Sequence, residues 1–500
     1  MHRRTAATST SAPSAPSAPA ARPCRSLAAH AVVIGAGVAG LAAAQALSEH
    51  VDWVTVIERD DLPERPGSRA GVPQARHVHA FQAGGVAALE RLLPGVGADL
   101  RAAGATPVRI PEDVLWLSPA GWIPNAPARP GHLVLSASRD LLEWTVRRRV
   151  LESPQIVVRS GLEVCGLVVR DGRARGVEVR ARRAGTAGPV VTIDADLIVD
   201  AGGRRSPAPA WLRAAGAAAP TETAIDARVG YASRLLRRTP GDTPGWAAAL
   251  SQARPPDFPR GGVLFPVERN AWLLTLTCAG EDSPPTDDDG FLAFAHSLRG
   301  PDIGALAARA EPLGPVVAFH RTGNVRRHYE RLSAPLDGFL AVGDALCAVN
   351  PVYAQGMSMA LLEAEALGRA LGGHLARRRD LTGLSGGAQR AVARVADGAW
   401  AVATAWDLRY PDVAGDARGR PARARDRALA RYQARVGRWA TADPEVAAAL
   451  YEVISLLAPP ASLLRPAVAR RALRRLPPRS PRPQWSAGGG AGAPAALAAG

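Results

Sequence analysis

The chain has 500 residues, of which 47% are hydrophobic and 21% charged, enough to bury a large core and to form more than one domain. Its formal charge of +16 raises nucleic acid or a membrane surface as partners, yet the sequence holds no lysine. Every strongly basic residue is an arginine, scattered through helices and loops beside 43 prolines, which reads as compositional bias rather than a nucleic-acid stripe interleaved with aromatics. No run of about 18 apolar residues predicts a transmembrane helix. The four cysteines, Cys24, Cys165, Cys278 and Cys347, lack CxxC or metal-ligand spacing and suit a reducing cytoplasm.

Residues 1–27 repeat Ser-Ala-Pro behind Arg3-Arg4, and the prolines break any apolar signal core, so a disordered tail is expected. A buried strand, Ala31-Val32-Val33-Ile34, then ends at Gly35-Ala36-Gly37-Val38-Ala39-Gly40 and a helix from about Val38 to Leu47. This is a dinucleotide fingerprint: Gly37 lets the backbone approach a pyrophosphate, and Gly40 lets the helix lie close to the strand. A second strand from Trp53 to Ile57 ends at Glu58, where a carboxylate is expected to take adenosine ribose hydroxyls. The polar stretch from Leu62 to Gln82 crowds Arg69, Gln74, Arg76, His77 and His79. The two histidines have the i, i+2 spacing of metal ligands or proton carriers, but structural roles near a cofactor are preferred, and no metal site is expected.

A helix from about Ala83 to Leu93 precedes a small insertion, residues 108–130, with Trp116 and Trp122 on a strand pair. The strand Leu133-Val134-Leu135 hands over to a helix at Arg139, whose guanidinium is placed either to reach a phosphate or a cofactor's polar side, or to pair at the surface with Asp140 or Glu143. From Ile156 to Val199 the alternation is that of strands, with a turn at Asp171-Gly172. The run Leu197-Ile198-Val199 ends in a second glycine turn, Asp200-Ala201-Gly202-Gly203-Arg204-Arg205-Ser206, suited to a sheet edge against the same cofactor. Residues 207–320 are β-patterned and are expected to form an inserted substrate-binding sheet.

Residues 321–386 return to the first domain through Gly343-Asp344-Ala345-Leu346-Cys347-Ala348-Val349-Asn350-Pro351-Val352-Tyr353-Ala354-Gln355-Gly356-Met357. A carboxylate at a strand end suits a sugar-like hydroxyl chain, and a helix N-terminus after Gln355 offers free amides to developing negative charge, the two contacts a flavin needs. Cys347 in this loop is read as an apolar filler in preference to a covalent flavin link. Residues 387–475 read as helices, Ala391 to Asp407, Ala422 to Trp439 and Pro444 to Leu457. Arg470-Arg471-Ala472-Leu473-Arg474-Arg475 is basic and partly amphipathic, and a solvated last helix is preferred to a membrane-surface role. Residues 476–500 are expected to be a second disordered tail.

Taken in order, the fingerprint with Glu58, the Asp-Ala-Gly-Gly-Arg-Arg-Ser turn and the Gly-Asp, Asn-Pro, Gln-Gly-Met loop resemble the FAD-dependent monooxygenases of the para-hydroxybenzoate-hydroxylase fold. Gly71-Val72-Pro73-Gln74-Ala75-Arg76-His77-Val78-His79, Asn350-Pro351-Val352-Tyr353 and Asp407-Leu408-Arg409-Tyr410-Pro411 with Pro459-Pro460 are similar to the actinobacterial polyether-type and squalene-epoxidase-like branch. The resemblance runs from about Ala28 to Arg475. It implies an α/β fold: a Rossmann-like, GR2-type FAD-binding domain in two parts (28–206 and 321–386), the inserted β-rich domain and a C-terminal helical segment. It implies that Gly35, Gly37 and Gly40 hold the FAD pyrophosphate, Glu58 with neighbouring Arg59 the adenosine side, Arg139 the cofactor from its helix entrance, and Asp344 the ribityl chain. Pro351 and the backbone of Gln355, Gly356 and Met357 would face the isoalloxazine. Two positions depart from the pattern. Gly202 stands where the family has an acid associated with the pyrophosphate and NAD(P)H, and Ala354 where it has glycine.

The implied reaction is transfer of one oxygen atom of O₂, through a flavin C4a-hydroperoxide, to a hydrophobic polyketide or terpenoid alkene or an aromatic, by epoxidation or hydroxylation. Electrons would come from NAD(P)H or a partner flavin reductase. No acid or base is assigned, and Tyr353 is a candidate substrate or peroxide contact or an aromatic wall. A reductase of the geranylgeranyl type and a non-catalytic flavin-fold binding protein are the alternatives. A halogenase is disfavoured because its lysine and Trp-containing motif are missing.

Overall fold

The computed structural model describes residues 29–183, 186–239, 245–280, 282–320, 322–411, 413–415 and 420–485. The tail expected over 1–27, Cys24 and residues 486–500 lie outside the described residues. Within the described residues no helix is long and apolar enough to cross a membrane.

The first layer is a five-stranded parallel sheet in the order Phe339–Ala341, Leu197–Asp200, His30–Ile34, Trp53–Ile57, Ile156–Arg159. Its inner strands are short runs of Val, Ile and Leu buried on both faces, as parallel strands covered by helices must be, while the edge strand Ile156–Arg159 is half exposed. The helix Val38–Ser48 covers one face and is almost wholly buried, since its alanines and glycine admit close neighbours. Against it lies Gly356–Leu375, where a Cβ on Gly368 would stand 3.4 Å from the Ala46 Cβ, and outside that runs Leu384–Asp407. An antiparallel meander of Leu162–Arg170, Arg173–Arg183 and Val191–Asp194 returns the chain to Leu197–Asp200. Its tight turn uses Asp171 and Gly172, both left-handed (φ 52 and 69), the backbone that a two-residue hairpin requires.

The inserted sheet, expected to bind substrate, has seven strands in the order Val317–Phe319, Gly230–Arg237, Ala271–Cys278, Arg260–Val267, Ala248–Ser251, Val114–Ser118, Gly121–Ile123. The last two come from the 108–130 insertion, so this stretch is part of the substrate sheet rather than an appendage of the first domain. Val114–Ser118 pairs in parallel with Ala248–Ser251, and Leu115 and Trp116 pack into its two faces.

The C-terminal helices Arg420–Ala440, Pro444–Ile454 and Pro466–Leu473 close over the cavity-side face of this sheet, burying Val436, Val446 and Tyr451 with Phe265 and Trp116. Asp443 caps Pro444–Ile454 by accepting from the Glu445 and Val446 amides. Residues 476–485, expected in the disordered tail, are laid across the protein. Arg438 donates to the Pro477 carbonyl, Arg482 pairs with Asp302, and Trp485 packs on the cluster of Trp246 and Trp272. Proline and arginine there carry no periodicity, which is why the docking is invisible in the sequence.

One close approach fixes the geometry of the first domain. A Cβ on Gly40 would lie 1.8 Å from the Gly35 carbonyl oxygen, so the helix can meet the strand only without a side chain there. Gly40→Ala is expected to destabilise the protein by at least about 1–3 kcal/mol, the usual cost of overpacking, read as a lower denaturant midpoint. An unchanged midpoint would contradict the packing described.

Candidate active site

Strand ends, two helix N-termini and the substrate sheet enclose one continuous cavity of about 1550 Å³. This exceeds the roughly 300–1000 Å³ that a single drug-sized ligand occupies. At one end is the glycine turn. The Gly35 amide donates to the Ile57 carbonyl at 2.7 Å, and Gly35 has a left-handed φ of +99 with a would-be Cβ 2.6 Å from the Ala201 oxygen, so no side chain fits. Gly37 is the opposite case. A Cβ there would meet nothing closer than Arg69 at 3.9 Å, because Gly37 faces the open cavity, and the helix that begins after it has no side-chain cap. Its free amides therefore point at an approach lane that only a bare backbone leaves open.

Glu58 borders the same lane. Its carboxylate accepts from the Ala36 amide (2.8 Å) and the Asp60 amide (3.0 Å) and stands 3.1 Å from Arg69. A carboxylate has about four acceptor positions, so room remains for ligand hydroxyls. Arg59, next to it, is exposed at the cavity rim. Arg69 is the unforeseen centre of this region, bonded to Glu143 at 2.8 Å and Asp60 at 3.3 Å. Burial opposes its charge, yet Glu143 and Glu58 outweigh burial and raise its pKa. Arg139 begins the helix Arg139–Val150 behind the cap Ser138 and lines the cavity, but its pairing is with Glu143 (2.8 Å) in the interior rather than at the surface. Burial favours neutral Glu143, and Arg139 and Arg69 together overcome it and hold the acid below its ordinary range.

The Gly343–Met357 loop forms the middle of the cavity. Asp344 sits in a 3-10 turn, Gly343–Ala345, and lines the cavity; burial raises its pKa against the opposing pull of Arg204, Arg139 and Arg327. The Gly343 amide donates to Glu363, a wholly buried acid on the following helix whose pKa burial pushes up to about 8. Cys347 is buried behind the loop, where burial drives its thiol pKa far upward, and it is not on the cavity wall, which suits a filler. Pro351, Gln355, Gly356 and Met357 all line the cavity, and the helix from Gly356 again starts without a side-chain cap. Gln355 donates to the Ile454 carbonyl at 2.8 Å, which ties the C-terminal helices to the loop, while its Oε1 is buried without a partner. Ala354 has a left-handed backbone, φ 51 and ψ 32, so the family's glycine there has a conformational reason and alanine adopts it under strain of about 1–2 kcal/mol.

Tyr353 lines the cavity, but its hydroxyl donates to Asp407. Asp407 ends the helix Leu384–Asp407, is wholly buried, and also accepts from Asn324 (2.6 Å) and Asn350 (3.1 Å). Asn350 in turn accepts from the Tyr231 hydroxyl at 2.8 Å, and the Asn350 amide donates to Asn324 at 2.8 Å. Burial raises the pKa of Asp407, opposed by the bonds from Tyr353, Asn350 and Asn324. In the second glycine turn the acid lies two residues before Gly202. Asp200, fully buried, accepts from the Gly202 amide (2.9 Å) and the Ser206 hydroxyl, so it shapes the turn instead of facing the cavity.

His77 and His79 both line the cavity and are held neutral. Burial takes His77 down to about 4, and burial with Arg139 takes His79 to about 3. His77 Nδ1 lies 2.7 Å from the Ser233 hydroxyl, and His79 Nδ1 donates to the His77 carbonyl at 2.8 Å.

The parallel sheet, two uncapped helix N-termini at one cavity and the inserted seven-stranded sheet define the FAD-binding fold of para-hydroxybenzoate-hydroxylase-type flavoenzymes. The chain belongs to the family of FAD binding domains, whose pattern matches residues 28–396. It is 34% identical over 387 residues to Protein Rv3254 of Mycobacterium tuberculosis, an alignment covering 76% of this chain and 80% of that protein. The flavin-dependent brominase Bmp2 superposes with a TM-score of 0.60 at 16% identity, covering 85% of this chain and 93% of that one. The p-nitrophenol 4-monooxygenase PnpA of Pseudomonas putida DLL-E4 gives 0.57 at 17% identity, covering 85% and 98%. At these identities the two structures speak to the fold.

FAD fits this cavity, because the glycine cradle admits a close backbone approach and the helix amides are left uncapped. Asp344→Ala and Glu58→Ala are each expected to lower bound FAD well below one per chain, measured by absorbance after gel filtration; stoichiometric FAD in both would contradict the orientation.

Glu363 predicts a pH effect. Its folded pKa, about 8, lies above the ordinary 4.5, so the stability from its protonated form is complete below 4.5 and is lost as pH rises through 8. Glu363→Gln should remove a fall of roughly 2–5 kcal/mol over that window, seen in denaturant unfolding at several pH values; an unchanged pH slope would show that Glu363 is ionised.

Proposed function

We propose that the chain is an FAD-dependent monooxygenase acting on a hydrophobic secondary-metabolite substrate, a polyketide or terpenoid alkene or an aromatic, by epoxidation or hydroxylation. The observation that carries this reading is the continuity of the cavity. The glycine turn and the uncapped helix at Gly356 open without a barrier into a chamber walled by Trp116, Val263, Phe265, Val402, Val436 and Leu463. Reduced FAD, when bound, supplies the activation of O₂ and the electrophilic oxygen atom.

The protein's share is positioning, electrostatics and exclusion of water. The amides before Val38 and Gly356 suit anionic parts of the cofactor, and Asp344 and Glu58 suit hydroxyl chains at its middle and adenosine end. The apolar chamber seats the substrate and lowers the local polarity, so that the few charges present act strongly. The Tyr353 hydroxyl is engaged by Asp407, which favours the reading of Tyr353 as an aromatic wall that fixes the loop. Electrons arrive from NAD(P)H or from a partner flavin reductase. The displacement of the turn acid to Asp200, out of reach of the cavity, favours the second route.

The deciding experiment supplies purified protein with FAD, a reducing source and a panel of polyenes and phenols under ¹⁸O₂. One labelled oxygen atom is expected in the product, and the yield should collapse without O₂. Anaerobic saturation of an alkene would replace this reading with a reductase, and a protein that takes up no FAD would remove every flavin-dependent one.

A further inference from the structure

The arginines on the cavity wall are mostly engaged. Arg69 is paired with Glu58, Asp60 and Glu143. Arg204 donates to the Gly323 and Val349 carbonyls, and Arg438 to the Ala120 and Pro477 carbonyls. Arg59, Arg205 and Arg479 stand exposed in water.

Arg409 is different. It follows the buried Asp407 by two residues, beside the Pro351–Tyr353 turn, and lies on the cavity wall together with Trp406, Tyr410 and Tyr353. Its guanidinium carbon lies over the Trp406 ring, 4.6 Å from the centroid, and the side chain is only partly exposed. Among the described residues no hydrogen bond or ion pair reaches the guanidinium. Burial lowers its pKa, and the ionisable groups acting on it are the Tyr410 and Tyr353 phenols rather than a carboxylate.

A guanidinium partly withdrawn from water without a counter-charge carries a desolvation cost, and its planar fork matches a carboxylate by two parallel bonds. Stacking on Trp406 supplies part of the compensation and restricts the plane, and leaves the N–H donors without a protein partner among the described residues. Much of the chamber is apolar, with neutral Ser251, Thr277 and Gln433 and charged Arg254, Asp257 and Arg438 also on its wall.

We propose that Arg409 is a specificity-determining residue that receives a carboxylate on the substrate, so that the substrates are apolar acids rather than neutral hydrocarbons or phenols. This rests on reading the chamber as the substrate site. It is tested by binding without turnover, so its failure is separate from a failure of oxygen transfer.

The probes are cis-parinaric acid, a fluorescent polyene carboxylate, and its methyl ester, titrated into the FAD-loaded protein. The acid is expected to bind at least about tenfold more tightly than the ester, the range of one charge-assisted contact. Arg409→Met, which keeps the bulk and removes the charge, should bring the acid down to the affinity of the ester while FAD content and ester binding are unchanged. Arg409→Lys should keep part of the preference. Equal affinities for acid and ester in the FAD-loaded wild type, or no binding of either, would overturn the assignment. So would an Arg409→Met protein that keeps its preference for the acid, or one that loses only the rate of flavin reduction by NADPH, which would place a dinucleotide phosphate on Arg409 instead.

Discussion

The Asp407 carboxylate is the constraint around which the site is built. A fully buried carboxyl group must be met by hydrogen bonds, and three side chains from two other segments provide them: Tyr353 and Asn350 from the loop and Asn324 from the strand Asn324–Arg327. Through Asn350 the knot extends to Tyr231 on the substrate sheet. One carboxyl group thus locks together the loop before the helix at Gly356, the seven-stranded sheet and the end of the helix Leu384–Asp407. The three-stranded sheet that pairs Val325 with Ala348 brings Asn324 and Asn350 within reach of each other, so the knot depends on backbone register as much as on side chains.

Around that knot the electrostatics give the cavity a direction. At the Gly37 end, Arg69 pairs with Glu58, Asp60 and Glu143, and Glu143 is held below its ordinary range by Arg139 and Arg69. At the loop, burial instead raises Asp344 and Glu363 together, two acids in one dry region around the Gly343 turn. Each helix N-terminus faces the cavity without a capping side chain, so both leave their amides for a ligand. The arrangement suits a long molecule with an anionic middle and a ring that gains negative charge on reduction.

The parts that were legible in the sequence are those whose signal is local. Gly35, Gly37 and Gly40 stand at fixed spacing because strand and helix meet there, and Asp344 and Gln355 mark a strand end and a helix start. The knot was not legible, because Asp407 lies 54 positions beyond Tyr353 and its partners share no periodicity. Arg69 was visible only as one of a crowd of polar residues, since its carboxylate partner Glu143 is 74 positions away. The membership of Val114–Ser118 in the substrate sheet was hidden for the same reason: a parallel pairing with Ala248–Ser251 leaves no trace between the two strands. Ala354 is the reverse case: the departure from the family's glycine was legible, and the left-handed backbone supplies its conformational meaning.

The account stands on one cavity receiving FAD in one orientation. The most direct measurement is a crystal structure of the protein with FAD bound. The pyrophosphate is expected against the Gly37 turn, the ribityl chain beside Asp344, and the isoalloxazine in front of Gln355, Gly356 and Met357, with Arg409 facing the chamber beyond it. An isoalloxazine seated at the Gly37 end, or FAD bound outside this cavity, would contradict the account.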